Sequence, residues 1–207
     1  MNTIMSSSPL IAILRGITPD TVLDYAEVII KAGWSYIEVP LNSPDPFTSI
    51  QKLVHTYGDS AFVGAGTVTN LSEVSQLADI GGKLLVSPNT DPEVISDGVK
   101  RGLIVMPGFM TPTEAFTACK AGAQYLKLFP ANSVSLTHIK SLKAVLPENI
   151  KIAAVGGVSP DNLQEFSEAG ADLFGIASEL YKPAMSVQEV ENRAYAFAKA
   201  AQNLKAR

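Results

Sequence analysis

The chain has 207 residues, 46% of them hydrophobic and 17% charged, and 16 Lys and Arg against 20 Asp and Glu give a formal charge of −4. That apolar content can bury a substantial core in one large domain or two small ones, which excludes intrinsic disorder and a fibrous fold, and the acidic balance lacks the basic footprint that nucleic-acid backbone binding needs. A single cysteine, Cys119, forms neither an internal disulfide nor a thiolate metal cage, and without a basic leader or an apolar window of bilayer length the expectation is a soluble, cytoplasmic protein with no membrane partner.

In chain order, short β-rich apolar runs occupy residues 10–14, 36–39, 61–65, 83–86, 103–106, 125–129, 151–155 and 173–177. Most are near-continuous Ile, Val, Leu and Ala, the pattern of strands covered on both faces. Segments of helical period separate them. A hydroxyl residue followed by proline marks helix starts at Thr18-Pro19, Ser43-Pro44, Thr111-Pro112 and Ser159-Pro160, and Thr90 with Glu93 and Thr111 with Glu114 have capping-box spacing. Gly33, Gly58, Gly81, Gly102, Gly122 and Gly170 stand where helices should end. A last helix over 187–204 carries Val190, Ala194, Phe197 and Ala201 at three- and four-residue spacing, which suits a core or a subunit face.

A β-then-α unit repeated eight times, at about 26 residues each, implies parallel strands joined by right-handed crossovers. The expected architecture is a compact (β/α)8 TIM barrel formed by residues 1–207 as a single domain; an open doubly wound sheet is the alternative.

Such barrels place their sites at the C-terminal strand ends. Read there, the chain offers Arg15, Glu38, Thr67, Pro88, Pro107, Lys127, Gly156 with Gly157, and Ser178. In Tyr125-Leu126-Lys127-Leu128-Phe129 the two-residue period sends the leucines to one face and Lys127 to the other, into the barrel. A desolvated lysine loses its proton more readily and becomes a nucleophile suited to Schiff-base formation, although an ion pair with Glu38 or a lysine snorkelling to the mouth explains the same placement. Alternation in Tyr36-Ile37-Glu38-Val39-Pro40 turns Glu38 inward too, as a proton shuttle or as the counter-ion of Lys127 or Arg15. Gly156-Gly157 leads into a helix start, and Ala177-Ser178 precedes Glu179-Leu180-Tyr181, a candidate short extra helix. Together they occupy the place where this fold binds phosphate. Gly64-Ala65-Gly66-Thr67-Val68 is a further close-approach loop. His55 and His138, the only histidines, belong to no ligand cluster, so neither a metal nor a cofactor is expected. Cys119, Trp34 and Tyr36 read as packing residues.

Leu10-Ile11-Ala12-Ile13-Leu14-Arg15-Gly16, Ile37-Glu38-Val39-Pro40-Leu41-Asn42-Ser43, Gly64-Ala65-Gly66-Thr67-Val68, Ser87-Pro88-Asn89, Leu126-Lys127-Leu128-Phe129-Pro130 and Val155-Gly156-Gly157-Val158, taken together and in order, resemble the 2-keto-3-deoxy-6-phospho sugar acid aldolases. The resemblance implies a barrel, usually a homotrimer, with metal-free class I chemistry that releases pyruvate and glyceraldehyde 3-phosphate from a phosphorylated sugar acid. It makes Lys127 the Schiff-base lysine and Glu38 the general acid/base. Arg15 and Thr67 would meet the carboxylate and keto end, Gly156, Gly157 and Ser178 the phosphate, with Pro88, Phe129 and Ala177 beside them. Asn42, where the gluconate-type branch carries an arginine, together with Arg15 matches the galactonate-type branch. Ala177, where relatives often have glycine, is a departure at the phosphate loop. A phosphogluconate aldolase, a sugar-phosphate isomerase or epimerase using Lys127 electrostatically, and a non-catalytic phosphate-binding barrel are the other readings.

Overall fold

The structure is a computed structural model and describes residues 8–204. Its strands are β1 (Leu10–Ile13), β2 (Tyr36–Pro40), β3 (Phe62–Gly66), β4 (Leu84–Val86), β5 (Ile104–Met106), β6 (Gly108–Phe109), β7 (Tyr125–Leu128), β8 (Lys151–Val155) and β9 (Leu173–Ile176). The helices are α1 (Val22–Lys31), α2 (Pro46–Tyr57), α3 (Leu71–Asp79), α4 (Pro92–Lys100), α5 (Pro112–Lys120), α6 (Leu136–Val145), α7 (Leu163–Ala169) and α8 (Val187–Gln202).

All recorded pairings are parallel, and the order is β5-β4-β3-β2-β1-β9-β8-β7-β6. The two ends of that order are consecutive in the chain, separated only by Pro107, so the sheet closes on itself. β5 and β6 are thus one barrel strand in two pieces. Proline has no N–H to give to the ladder, yet its carbonyl still accepts from Lys127 N–H at 2.8 Å. The expected fifth strand over 103–106 therefore continues past Pro107, and the closure rules out the open sheet.

Side-chain alternation divides the apolar residues into two layers. Ile11, Ile13, Tyr36, Phe62, Leu84, Val86, Met106, Ala153, Val155 and Leu173 fill the barrel, while their neighbours, such as Ala12, Ile37, Val63, Leu126 and Leu128, pack outward against the helices. Inside, Tyr36 stacks on Phe62 with ring centroids 5.1 Å apart, and burial, then the nearby Tyr125, pushes the Tyr36 phenol up to about 12. The apolar stripe of α8 is core: Val190, Ala194 and Phe197 are buried, Trp34 donates to Ala194 O at 3.1 Å and meets Phe197 edge-on.

Helix starts differ from the sequence expectation where a hydroxyl bonds across the fold instead of capping. Thr111 does cap α5 in a capping box with Glu114. α4, however, is capped by Asp91, whose carboxylate accepts from Glu93 and Val94, while the Thr90 hydroxyl donates to Gly108 O at 2.7 Å. Thr18-Pro19 and Ser159-Pro160 open a turn, and the helices follow at Val22 and Leu163. α2 starts at Asp45-Pro46 because Ser43 is engaged elsewhere. Gly58 ends α2 at an ordinary right-handed φ of −60°. Residues 177–181 form a single turn, with Leu180 and Tyr181 N–H both on Ala177 O at 2.9 Å, instead of a short extra helix.

Candidate active site

Lys127 and Glu38 are the only charged side chains among the described residues that are classed as buried, at 6% and 2% exposure, and both lie on the inward face of their strands. Their flanking leucines, Leu126 and Leu128, and Ile37 with Val39, are packed outward at 0% exposure. A helix-covered strand must bury two faces, so once the leucines take the helix side, the lysine has only the barrel interior. Among the described residues no ion pair within 4.0 Å joins the two groups, so they act on each other through charge without closing into a salt bridge.

Burial pushes the Lys127 ammonium down from the ordinary lysine range; the carboxylate of Glu38 opposes this and the guanidinium of Arg15 adds to it. Burial pushes the Glu38 carboxyl up, against the pull of Lys127 and Arg15. Each group is thereby driven toward its neutral form, a free amine beside a carboxylic acid.

Around them, Phe129 closes over Lys127, its ring centroid 4.8 Å from Nζ, within cation–π range. Thr67, directly after β3, holds φ +62°, a left-handed conformation costly for a β-branched residue, and this fixes the loop after Gly66. Arg15, two residues beyond β1, donates from Nη1 to Asn42 Oδ1 at 2.6 Å. Gly16 N–H donates to Ser43 Oγ at 2.9 Å. Pro88 is exposed just beyond β4.

On the other side of the mouth, Gly156 and Gly157 follow β8 with φ +103° and +74°, and Ala177 and Ser178 follow the neighbouring β9. Two successive left-handed glycines present backbone N–H groups at close range, and their Cβ positions would meet Pro130 and Asn132, at the start of and within the 3-10 turn Ala131–Ser133 after β7. Every sequence-derived site residue therefore lies in or just beyond the C-terminal half of a barrel strand.

Two residues were not assigned a place in this site from sequence. Asn162 accepts from Ser159 N–H and donates to Gly157 O, both at 2.8 Å, pinning the glycine loop. Asn42, noted only as a difference between branches, ligates Arg15. Asn42 carries no local signal, because its partner Arg15 lies 27 residues away in the chain. Among the described residues no group of three or more His, Cys, Asp or Glu gathers as a metal site. His55 is exposed, and the His138 ring meets Met110 O at 3.0 Å. No helix of the described residues is long and apolar enough to cross a membrane.

Residues 1–195 match the family described as "Aldolase: KDPG and KHG aldolase". An Escherichia coli protein named 2-dehydro-3-deoxy-6-phosphogalactonate aldolase is 50% identical over 192 residues, 93% of this chain and 94% of that protein. A Rhizobium meliloti protein named "Probable 2-dehydro-3-deoxy-6-phosphogalactonate aldolase" is 47% identical over 188 residues, 91% of this chain and 89% of its own. A solved structure described as native KDPGal superimposes with a TM-score of 0.92 at 49% identity, covering 94% of both chains. The closed barrel, the buried inward-facing lysine and glutamate, and similarity over nearly the whole length agree, and the chain belongs to the KDPG and KHG aldolase family of carbon–carbon lyases.

Proposed function

We propose that this chain is a class I aldolase that cleaves 2-dehydro-3-deoxy-6-phosphogalactonate to pyruvate and glyceraldehyde 3-phosphate through an imine on Lys127. The observation that carries the reading is the burial of one amine and one carboxyl inside a closed barrel, each pushed toward neutrality and too far apart to pair. The galactonate substrate follows from the relative that is 50% identical and from Asn42 with Arg15.

The neutral Lys127 amine attacks the C2 ketone, and a proton shift gives the carbinolamine. Glu38, as the acid, protonates the departing hydroxyl, which leaves as water, and the nitrogen lone pair closes the C=N bond as an iminium. The Glu38 carboxylate then takes the C4 hydroxyl proton. The C3–C4 electrons flow to the iminium nitrogen, so the aldehyde leaves as an enamine forms. Protonation of C3 and hydrolysis of the imine return pyruvate and the amine. Arg15 and Thr67 hold the carboxylate end, with Pro88 and Phe129 lining the reacting end. Gly156, Gly157, Ala177 and Ser178 hold the phosphate, whose remote binding energy orients the reacting carbons.

The reading includes a homotrimer working in the cytoplasm. Val99 and Phe116, 39% and 38% exposed on the successive helices α4 and α5, supply apolar surface that subunit association would cover.

Cleavage of the galactonate and gluconate isomers by the purified protein, followed as pyruvate release, tests the function. Faster turnover of the galactonate substrate is expected. Preference for gluconate overturns the assigned stereochemistry, and no pyruvate from either overturns the aldolase.

A further inference from the structure

The exits of β1 and β2 are tied by two successive cross-links. Asn42 accepts from Arg15 and Ser43 accepts from Gly16, directly above the Leu14 N–H to Glu38 O bond of 3.0 Å that ends the ladder between these strands. Ser43 is buried, and Gly16 is held at φ +84° under Pro183, whose Cγ would lie 2.9 Å from a Cβ at that position. The backbone that carries Arg15 is thus fixed from two sides. Its side chain is exposed, and an exposed arginine without a partner samples many rotamers.

We propose that Asn42 is a positioning residue for the reaction: it fixes the Arg15 guanidinium at the barrel mouth while leaving its charge uncompensated, so that the remaining N–H donors receive the substrate's carboxylate. The choice of an amide is the informative point. A carboxylate at position 42 would hold the guanidinium at least as well but would neutralise it, and a small apolar residue would leave it loose. The amide does neither. The charge so placed acts on both buried groups, since Arg15 bears on Lys127 and Glu38 alike.

The inference rests on the aldolase reading, so its test measures the shared first step, trapping of pyruvate on Lys127 by borohydride, as a function of pyruvate concentration. Asn42→Ala is expected to raise the half-saturating pyruvate concentration by roughly 10- to 150-fold, the scale of one hydrogen bond to a charged group, with the unfolding midpoint little changed. Asn42→Asp, which keeps the bond and removes the free charge, is expected to fold equally well and raise it too. In an Arg15→Ala background, Asn42→Ala should add nothing, which a merely structural role would not produce. Wild-type half-saturation in Asn42→Ala or Asn42→Asp, or an undiminished effect in the Arg15→Ala background, overturns the positioning role alone. Failure to trap pyruvate on the wild-type chain overturns the proposed function and this inference with it.

Discussion

Gly66 makes room for Glu38: a Cβ on Gly66 would lie 2.5 Å from Glu38 Oε1 and 2.9 Å from its Cδ. The acid reaches its place because the next strand offers no side chain there. Gly66→Ala is therefore expected to displace the carboxyl, cutting turnover by about 100-fold, the scale of a misplacement near 1 Å, and to destabilise the fold by about 1–3 kcal/mol through overpacking. Steady-state kinetics and denaturant unfolding check both. Wild-type turnover in Gly66→Ala would show that the carboxyl does not need this position.

The buried pair makes stability depend on pH in opposite directions at the two ends of the range. Lys127 has a folded-state pKa below its ordinary 10.5, so below that lowered value both states hold the proton and the full burial penalty stands; the penalty is relieved as pH rises to 10.5. Glu38 is raised above 4.5, so its penalty is absent below 4.5 and complete only above the raised value. Unfolding free energies across this range should show the wild-type rise toward 10.5 disappearing in Lys127→Met. That variant is expected to lose cleavage while keeping its fold. In the Lys127→Met, Glu38→Gln double variant, stability at neutral pH should equal or exceed wild type by about 1–4 kcal/mol.

How far these placements were legible from the sequence differs by residue. Period-two alternation alone turned Lys127 and Glu38 inward, because flanking apolar residues must take the helix side. Parallel closure followed from the repeated strand–helix order. Position 107 misled because proline breaks a ladder locally while the chain continues along it. Thr90 and Ser43 read as caps, but each hydroxyl is used across the fold, toward Gly108 and from Gly16. Thr18-Pro19 signals a turn as well as it signals a helix, since both begin with the same dihedrals. Asn42 and Asn162 act on loops, and such contacts exist only after closure.

The glycine pair after β8 should report on phosphate. Gly157→Ala forces a left-handed φ of +74° on alanine and sets its Cβ 2.6 Å from Asn132 Cβ. The expected outcome is a KM for the phosphorylated aldehyde, measured in the condensation direction, raised by about 10-fold or more, with the KM for pyruvate near wild type. Equal rises for both substrates would place the effect outside a phosphate cradle.

Thr111 supplies a control remote from the chemistry. Its hydroxyl accepts from Glu114 N–H at 3.4 Å, and Glu114 accepts from Met110 and Thr111 N–H at 2.9 and 2.8 Å, bonds that hold its carboxyl below the ordinary range. Thr111→Ala should cost about 1 kcal/mol in denaturant unfolding with cleavage kinetics unchanged.

Every proposed step depends on attack of the Lys127 nitrogen on a ketone. Mass mapping of peptides after incubation with pyruvate and borohydride addresses it directly. One reduced pyruvate adduct is expected, carried by Lys127 and abolished in Lys127→Met. A folded, active protein left unmodified, or labelled at another lysine, would contradict it.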